Sequence, residues 1–256
     1  MKKLENKLVF ITGASSGIGE ACAIEFAKLK ANLLLTARRS ERLKKLADDL
    51  SKQFGIKVKY FKTDIRNFDD VEKKFQQLDE EWKNIDILIN NAGLARGFDK
   101  VFEGKLKDWN EMIDTNVKGL LHITRVVAPE MVKKQKGHII NIGSTAGHET
   151  YTYGNVYSAT KFAVKALSQS FRLDLLDKGI KVSSVDPGIV KTEFSKVRFA
   201  GDEEKAEKVY QDIIPLSPKD VAEAVVFCAT RPGNVNINEI ILTPLQQASS
   251  TQVFRK

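Results

Sequence analysis

Short apolar segments alternate with amphipathic stretches from one end of this sequence to the other. Seven apolar segments have the length and composition of buried strands: Leu8–Ile11, Leu33–Thr36, Val58–Phe61, Ile85–Ile89, His138–Ile142, Ile180–Val185 and Glu239–Leu242. The stretches between them have helical spacing, over residues 17–30, 40–54, 67–80, 109–133, 155–176, 202–211 and 219–230. This alternation predicts an α/β protein with a Rossmann-like, doubly wound parallel sheet of seven strands and helices on both faces.

Local signals refine the helix boundaries. Ser40 is expected to cap one helix, and Asn67 or Asp69 the next. Pro129 predicts a bend or interruption in the long helix over 109–133. No Pro/Gly/Ser-rich linker and no internal repeat divides the chain, so a single domain over 1–256 is expected.

Composition excludes several classes of protein. The chain has 256 residues, 42% of them hydrophobic, which is enough for one domain with a sizeable core. Its net charge of +8 comes from scattered lysines on predicted helix surfaces, which favours a solvated basic surface over a nucleic-acid site. Cys22 and Cys228 match no metal or redox spacing and are expected to be buried thiols in a reducing compartment. No segment is long and apolar enough to span a membrane, so a soluble, cytoplasmic protein is expected.

A glycine turn follows the first strand. Gly13, Gly17 and Gly19 have the spacing G-x-x-x-G-x-G. Gly13 permits a tight turn, Gly17 lets the backbone approach a pyrophosphate, and Gly19 lets the helix lie close to the sheet. The pyrophosphate would lie at the helix N-terminus, where the other turn residues are Ser15, Ser16 and Ile18. Taken alone, the pattern also fits an ordinary strand–helix turn.

The second strand ends in two arginines. NAD-binding proteins of this topology usually place an acidic residue there, on the ribose 2′-hydroxyl. Arg38 and Arg39 stand there instead, and a guanidinium suits bidentate contact with a 2′-phosphate. The pair therefore favours NADP as the cofactor, the alternative being two solvent-facing arginines on a loop.

Tyr157 and Lys161 lie four residues apart on one face of a predicted helix. An ammonium there is expected to lower the pKa of the tyrosine from about 10, so that the phenol can exchange a proton with an alcohol or a carbonyl. Ser144 follows a strand at the same edge of the sheet, where its hydroxyl could hold the substrate oxygen. Such Tyr/Lys pairs also occur on many helix surfaces, and serines often cap turns.

Together these motifs resemble the short-chain dehydrogenase/reductase family over nearly the whole chain. The matching positions, in family order and spacing, are the turn 12–19, the run Asn90-Asn91-Ala92-Gly93, Asn116, Ser144, Tyr157, Lys161 and Pro187-Gly188. Asp186, just before Pro187, is a departure, since other residues are more usual there. The resemblance implies the family's fold and hydride transfer between a nicotinamide and an alcohol or carbonyl.

The resemblance also implies roles for particular residues. Asn116, Ser144, Tyr157 and Lys161 would form a catalytic tetrad. Tyr157 would be the proton donor or acceptor and Ser144 would hold the substrate oxygen. Lys161 would bind the nicotinamide ribose and lower the pKa of the tyrosine, and Asn116 would anchor a water in a proton relay.

Other positions would hold the cofactor. Asp64 and Ile65 would flank the adenine. The cofactor would be lined by Asn91, Ala92 and Gly93, and its nicotinamide amide would be covered by the segment that contains Pro187, Gly188, Val190 and Thr192.

The last third of the chain is similar to the NADP-dependent 3-hydroxy acid dehydrogenases of this family. That group oxidises L-serine and L-allo-threonine, reduces related semialdehydes and is tetrameric. The similarity implies a homotetramer, a substrate lid over 191–214, and a tail over 243–256 that lies on a neighbouring subunit. A hydroxy acid needs a cation for its carboxylate. Arg198 is the first candidate and Lys191 the second, the alternative being an exposed arginine on a mobile lid.

Two other functions stay open. One is a broad-specificity NADPH-dependent ketone or aldehyde reductase. Tyr151, Tyr153 and Phe194 could supply apolar walls for either substrate class. The other is a non-catalytic dinucleotide sensor, which would be expected to have lost the Tyr/Lys pair. No metal is expected, because a tyrosine manages the proton. The three histidines are isolated in sequence and are expected to have surface or packing roles: His122, His138 and His148.

Overall fold

Seven parallel strands form the centre of the structure, a computed structural model that describes residues 4–256. The strands are β1 (Leu8–Thr12), β2 (Asn32–Ala37), β3 (Val58–Lys62), β4 (Ile87–Asn90), β5 (Gly137–Ile142), β6 (Ile180–Pro187) and β7 (Glu239–Leu242). Their order is β3-β2-β1-β4-β5-β6-β7. The order reverses between β1 and β4, and the carboxyl ends of strands at such a point form a binding crevice. The predicted fold class is confirmed.

Ten α-helices are found in residues 4–256. They are α1 (Gly17–Lys28), α2 (Ser40–Phe54), α3 (Phe68–Gln76), α4 (Glu80–Lys83), α5 (Leu106–Ile113), α6 (Leu120–Lys133), α7 (Asn155–Asp174), α8 (Phe194–Arg198), α9 (Glu203–Lys208) and α10 (Pro218–Ala229). Buried residues of α1, α2 and α10 lie against one face of the sheet. Those of α3 and α6 lie against the other, where α7 also packs through Phe171.

The central strand β1 shows why the sheet is covered on both sides. Val9 and Ile11 belong to the core beneath α1, whereas Leu8 and Phe10 belong to the opposite core. All five residues of β1 are buried. Burial of each large apolar side chain contributes about 1.5–3 kcal/mol, so a continuous apolar run suits a strand that has helices on both faces.

Three helix signals have different outcomes. Asn67 caps α3 as predicted, because its side chain accepts a hydrogen bond from Asp70 N at 3.1 Å. The predicted Ser40 cap is wrong, since Ser40 is the first helical residue and Arg39 holds the cap position without a side-chain bond. A bend or interruption was predicted at Pro129, and the interruption is wrong, because α6 continues through this residue. Burial of Val127 and Met131 against the sheet offsets the hydrogen bond that proline removes.

The C-terminal tail, residues 243–256, lies against its own chain. Gln247 is buried and its Oε1 accepts from Ile189 N at 2.8 Å. Gln246 Oε1 accepts from Ile214 N, also at 2.8 Å. The resemblance implied contacts with a neighbouring subunit, whereas these contacts lie within one chain. No helix among residues 4–256 is long and apolar enough to cross a membrane.

Candidate active site

A cleft of about 340 Å³ lies at the carboxyl ends of the central strands. Most of the predicted site residues line it: Gly13, Ser15, Ser16, Gly17, Ile18, Arg38, Arg39, Asp64, Ile65, Asn91, Ala92, Gly93, Ser144, Tyr157, Lys161, Pro187, Gly188, Val190 and Thr192. Gly19, Asn116 and Arg198 are not part of this lining. The topology thus brings together residues that are up to 179 positions apart in the sequence, from Gly13 to Thr192.

The glycine turn needs its glycines for space. Gly13 and Gly17 have φ of +65° and +60°, a region that other residues rarely adopt. A Cβ on Gly13 would fall 2.9 Å from Ala92 Cα, and one on Gly19 would fall 2.5 Å from Gly13 O. Gly19 therefore acts behind the cleft, by letting α1 begin close under the turn.

Thr12, which the sequence analysis did not single out, joins the end of β1 to the segment after β4. Its hydroxyl accepts from the backbone N–H groups of Asn91 and Ala92, both at 3.0 Å. The side chain of Asn91 donates back to Thr12 O at 2.8 Å. These bonds fix the segment after β4 against the glycine turn.

Arg39 lies between the glycine turn and the segment after β6. It donates to Ser15 Oγ at 3.2 Å and to Ser16 Oγ at 2.5 Å. It also forms an ion pair of 2.7 Å with Glu193, which Arg42 contacts from the other side at 2.8 Å. Hydrogen bonds from Arg39 and then Arg42 lower the pKa of Glu193 to about 2. An anion is therefore already held where the sequence predicted a phosphate.

Arg38 belongs to a second charged group beside the cleft. Its guanidinium lies 3.6 Å from Glu111, which also pairs with Arg66 and Arg96. Arg66 forms a bidentate bond with Asp64 and lowers the pKa of that carboxyl. The Asp64 side chain is thus held at the end of β3, where the resemblance places the adenine.

Asn116 lies in a π-helical turn, Asp114–Gly119, between α5 and α6. Its amide nitrogen donates to Leu94 O at 2.8 Å and to Thr160 Oγ1 at 3.0 Å, while its Oδ1 accepts from Leu94 N. Both amide hydrogens are therefore used, and one lone pair of Oδ1 is left for a water. The asparagine links the segment after β4 to α7, and π-turns often mark such functional positions.

Ser144, Tyr157 and Lys161 meet at the inner end of the cleft. Ser144 Oγ accepts from Ala146 N at 3.1 Å, so this serine does cap a turn, and its side chain acts to lower the pKa of Tyr157. Lys161 Nζ donates to Ile142 O at 2.9 Å and lies 5.9 Å from the centre of the Tyr157 ring. Ser144 therefore caps a turn and also lies in the candidate site, so the structural and the functional explanation of this serine both apply.

The pKa of Tyr157 differs from the sequence expectation. Burial raises this pKa above its usual value, while the Arg198 guanidinium and the bond from Ser144 oppose the rise. Lys161 makes no hydrogen bond to the phenol, and burial lowers the pKa of the lysine itself to about 8. The cation that acts most strongly on the phenol is Arg198, whose role could not be foreseen from spacing along one helix.

Arg198 is enclosed by aromatic rings. Its guanidinium carbon lies 4.9 Å from the ring centre of Tyr157 and 5.2 Å from that of Phe194, and its Nη2 donates to Tyr151 OH at 2.8 Å. Its Nε is buried without a hydrogen-bond partner. Within residues 4–256 no carboxylate is paired with it. Lys191, in contrast, is exposed and pairs with Glu207.

Several further residues line the cleft without having been predicted: Ala37, Thr63, Leu94, Thr115, Ile142, Gly143, Glu193, Phe194 and Val197. Phe194 had been considered only as a substrate wall. Most of these residues are neighbours of predicted residues in the sequence. Their position just after a strand is the signal that could have identified them. Glu193 carried no such signal, because its partners Arg39 and Arg42 lie 154 and 151 positions away.

One histidine is not isolated. His148 Nε2 lies 2.6 Å from Asp186 Oδ2 and 3.6 Å from Glu239 Oε1, so the expectation of an isolated side chain is wrong for this residue. The cluster joins the segment after β5 to the end of β6 and the beginning of β7, which sequence spacing could not show. His138 is buried as a packing residue, and His122 Nδ1 donates to Ile65 O at 2.8 Å.

The strand order, the glycine turn at the point of reversal and the Tyr/Lys pair define an α/β protein of the Rossmann class. Residues 7–203 match the family model described as short chain dehydrogenase. The chain therefore belongs to the short-chain dehydrogenase family.

Relatives of known name cover almost the whole chain. It is 46% identical over 242 residues to the NADP-dependent 3-hydroxy acid dehydrogenase of Escherichia coli, covering 94% of this chain and 96% of that one. It is 42% identical to the enzyme of the same name from Schizosaccharomyces pombe, covering 100% and 99%. A solved structure, the closed form of serine dehydrogenase complexed with NADP+, aligns with a TM-score of 0.90 at 44% identity, covering 97% of this chain and 99% of that one.

Proposed function

We propose that this protein is an NADP-dependent oxidoreductase that transfers a hydride between NADP(H) and a small 3-hydroxy acid or its carbonyl counterpart. The observation that carries the substrate class is Arg198, a cation beside Tyr157 whose buried Nε–H lacks a partner. The names of the relatives at 46% and 42% identity support the same reaction.

The residues of the cleft fit a dinucleotide phosphate. The crowded glycine turn leaves its backbone open for a pyrophosphate. Arg39, with Arg42 one helical turn further on, already holds the carboxylate of Glu193 and would hold a 2′-phosphate in the same way. Arg38 would add charge, and Asp64 and Ile65 would flank the adenine. Tyr157 and Lys161 would contact the nicotinamide ribose.

The proton chemistry belongs to the chain's own residues. NADP supplies the hydride acceptor when bound. Ser144 Oγ holds the substrate oxygen next to Tyr157 OH, and the phenolate takes the hydroxyl proton during oxidation or the phenol returns it during reduction. Arg198 favours the phenolate, and the ammonium of Lys161 lies 5.9 Å from the centre of the Tyr157 ring. Asn116 holds the segment after β4 and has one lone pair for a relay water.

The substrate carboxylate would bind between Arg198 and Tyr151. The free Nε–H of Arg198 and the Tyr151 hydroxyl would provide two donors next to Tyr157, which lines the cleft. Phe98, Tyr151 and Phe199 form an aromatic wall around the same cation. That wall also suits an uncharged ketone or aldehyde, which makes the broad reductase the second candidate.

Initial rates with a panel of alcohols test the substrate class. NADPH formation would be followed with L-serine, L-allo-threonine, 3-hydroxyisobutyrate, 3-hydroxypropionate and uncharged secondary alcohols. We expect higher kcat/KM for the acids, because only they pair with Arg198. Equal values for acids and uncharged alcohols would support the broad reductase instead, and the absence of turnover in both directions would support the dinucleotide sensor.

Arg198→Ala tests the carboxylate site directly. We expect the KM for serine to rise by about tenfold or more, as for a lost charge-assisted hydrogen bond, with a smaller change for an uncharged alcohol. The acid limb of the oxidation profile should also move to higher pH, since a cation that lowers the pKa of Tyr157 is removed. Lys191→Ala is the matched control. An unchanged KM for serine in Arg198→Ala would contradict this site.

Further features belong to the same proposal. Residues 191–214 would act as a substrate lid and 243–256 as a tail that supports it, within a single domain over 1–256. Exposed apolar side chains on α5 and α7, among them Leu106, Phe162 and Leu173, support a homotetramer. Two buried free thiols, Cys22 and Cys228, suit a reducing, cytoplasmic location.

A further inference from the structure

A buried carboxylate lies directly behind the candidate active site. Asp186, near the end of β6, is only 1% exposed. It accepts hydrogen bonds from Ser184 Oγ and from His148 Nε2, the latter at 2.6 Å. A buried carboxylate is costly unless it has partners or a charge to compensate it. None of the proton transfers described above uses Asp186, although it lies next to Pro187 at the edge of the cleft.

The carboxylate is packed against the backbone that holds Lys161. A Cβ on Gly143 would fall 2.0 Å from Asp186 Oδ1, so the carboxylate lies immediately against this glycine. Gly143 follows Ile142, whose carbonyl accepts the hydrogen bond from Lys161 Nζ at 2.9 Å, and precedes Ser144. Asp186 is therefore one backbone layer behind the lysine and the serine of the tetrad.

His148 contacts the carboxylate from its outer side and is itself contacted by Lys165 and Glu239. Lys165 Nζ lies 2.8 Å from His148 Nδ1 and 4.0 Å from Glu239 Oε1. An ammonium can only donate, so Nδ1 accepts and the ring proton is on Nε2, from which it is donated to Asp186. The same geometry argues against a metal in this cluster. A metal on Nε2 would require a proton on Nδ1, which would then point at the Lys165 ammonium.

We propose that Asp186 is a positioning residue for hydride transfer, whose negative charge keeps Lys161 in its ammonium form, and that His148 and Lys165 hold that charge in place. This inference rests on the proposed function, because the proposed function gives Lys161 its part in the reaction. It gives a role to Asp186, the position at which the sequence analysis noted a departure from the family pattern.

The charges around Lys161 determine whether loss of Asp186 raises or lowers the pKa of this lysine. Burial lowers the pKa of Lys161 to about 8, and Asp186 is the charge that opposes this fall. Without the carboxylate the lysine would lose its proton at lower pH. The pKa of Tyr157 is raised, and the charge acting on it is that of Arg198, not Asp186. A loss of reduction near pH 8 would therefore report Lys161 and not the phenol.

Asp186→Asn tests the proposal without any need for turnover. The side chain keeps its size and its amide oxygen can still accept from His148, while its NH2 group can donate to the Ser184 hydroxyl, but it loses its charge. NMR titration of protein labelled with ¹³Cε-lysine would follow Lys161, assigned by its absence in Lys161→Met. We expect the Lys161 midpoint to fall by about one pH unit, as for the loss of an opposite charge within a few ångströms. Asp186→Glu keeps the charge, so the Lys161 midpoint in this variant should lie close to that of the unmodified protein. An unchanged midpoint in folded Asp186→Asn would overturn the proposal.

Lys165→Met gives an independent test if Asp186→Asn fails to fold. Removal of this cation leaves the charge of Asp186 less neutralised, so the Lys161 midpoint should rise. Lys219→Met, an exposed lysine of α10 that pairs with Glu223, is the matched control and should leave the midpoint unchanged. A fall or no change in Lys165→Met would overturn the proposal.

Kinetics add a second readout. The alkaline limb of NADPH-dependent carbonyl reduction should move to lower pH in Asp186→Asn and to higher pH in Lys165→Met. A protein that shows the NMR shifts but reduces no carbonyl would contradict the proposed function and leave the effect of Asp186 on Lys161 standing. The opposite result, turnover with no change of midpoint or limb, would contradict only the role of Asp186.

Discussion

At the scale of single residues, the site depends on positions where a side chain has no room. Gly19 lies under the glycine turn, and a Cβ there would fall 2.5 Å from both Gly13 O and Asn91 Nδ2. The carbonyl belongs to the backbone and cannot rotate away. Because Gly19 has no Cβ, the glycine turn, α1 and the segment after β4 can lie this close together.

Gly19→Ala should lower both stability and cofactor affinity. We expect the free energy of unfolding to fall by about 2 kcal/mol, as for other overpacked sites, and the Kd for NADP to rise because the turn must shift. Urea denaturation and fluorescence titration would measure the two effects. Gly233→Ala is the control, since nothing lies within 4 Å of its Cβ, and its change should stay below about 1 kcal/mol. Equal stability of the two variants would contradict the crowding argument.

Sequence alone predicted the residues whose position in the site depends on their neighbours along the chain. The glycine turn, Tyr157 and Lys161 were found because strand, turn and helix periodicities place them directly. Arg198 was found only as a cation in the right segment, and its contact with Tyr157 depends on how 191–214 folds over the cleft. Asp186 was noticed as unusual, but its bond to His148 requires the register of β5 and β6. Contacts between distant strands and loops have no local signal.

At the scale of elements, residues 191–214 are tied to the helix that follows β2. Glu193, just before α8, bridges Arg39 and Arg42 at the start of α2. These are the arginines that the proposed function assigns to the 2′-phosphate. On the proposed function, Glu193 and the 2′-phosphate would therefore compete for the same two guanidinium groups.

Glu193→Gln should tighten NADP binding. Removal of the carboxylate frees both arginines, so the Kd for NADP is expected to fall by about two- to fivefold, the range of exposed ion pairs. The Kd for NAD, which lacks the 2′-phosphate, should change little. Isothermal titration calorimetry would compare the two cofactors, with Glu207→Gln in the same lid as control. Weaker NADP binding in Glu193→Gln would mean that Glu193 supports the cofactor and does not compete with it.

At the scale of the whole molecule, the sheet buries a titratable group in its core. His138 on β5 is 3% exposed, and its Nε2 pairs with Ser183 Oγ at 2.8 Å while its Nδ1 has no partner. Burial lowers its pKa from 6.5 to about 3. The unfolded chain therefore binds a proton between these values that the folded chain does not. Stability from this group is complete above pH 6.5 and is lost as the pH falls toward 3.

His138→Gln should flatten this dependence. Glutamine can keep a bond to Ser183, but it does not titrate. Between pH 6 and pH 4.5 the unfolding free energy of the unmodified protein should fall by at most about 1.4 kcal/mol per pH unit more than that of the variant. Urea denaturation at several pH values would show the difference in slope, with His122→Asn as control. Parallel slopes for the unmodified protein and His138→Gln would contradict a neutral, buried imidazole.

The bridge between Glu193 and the arginines of α2 also bears on the order in which two ligands arrive. On the proposed function, a coenzyme that displaces Glu193 from Arg39 and Arg42 would release residues 191–214, the proposed lid, to close over the substrate that binds next. The hydroxy acid would then find a closed carboxylate site only after the coenzyme is seated, and it would have to leave before the coenzyme can. Such an enzyme follows compulsory-order kinetics, with the coenzyme first on and last off.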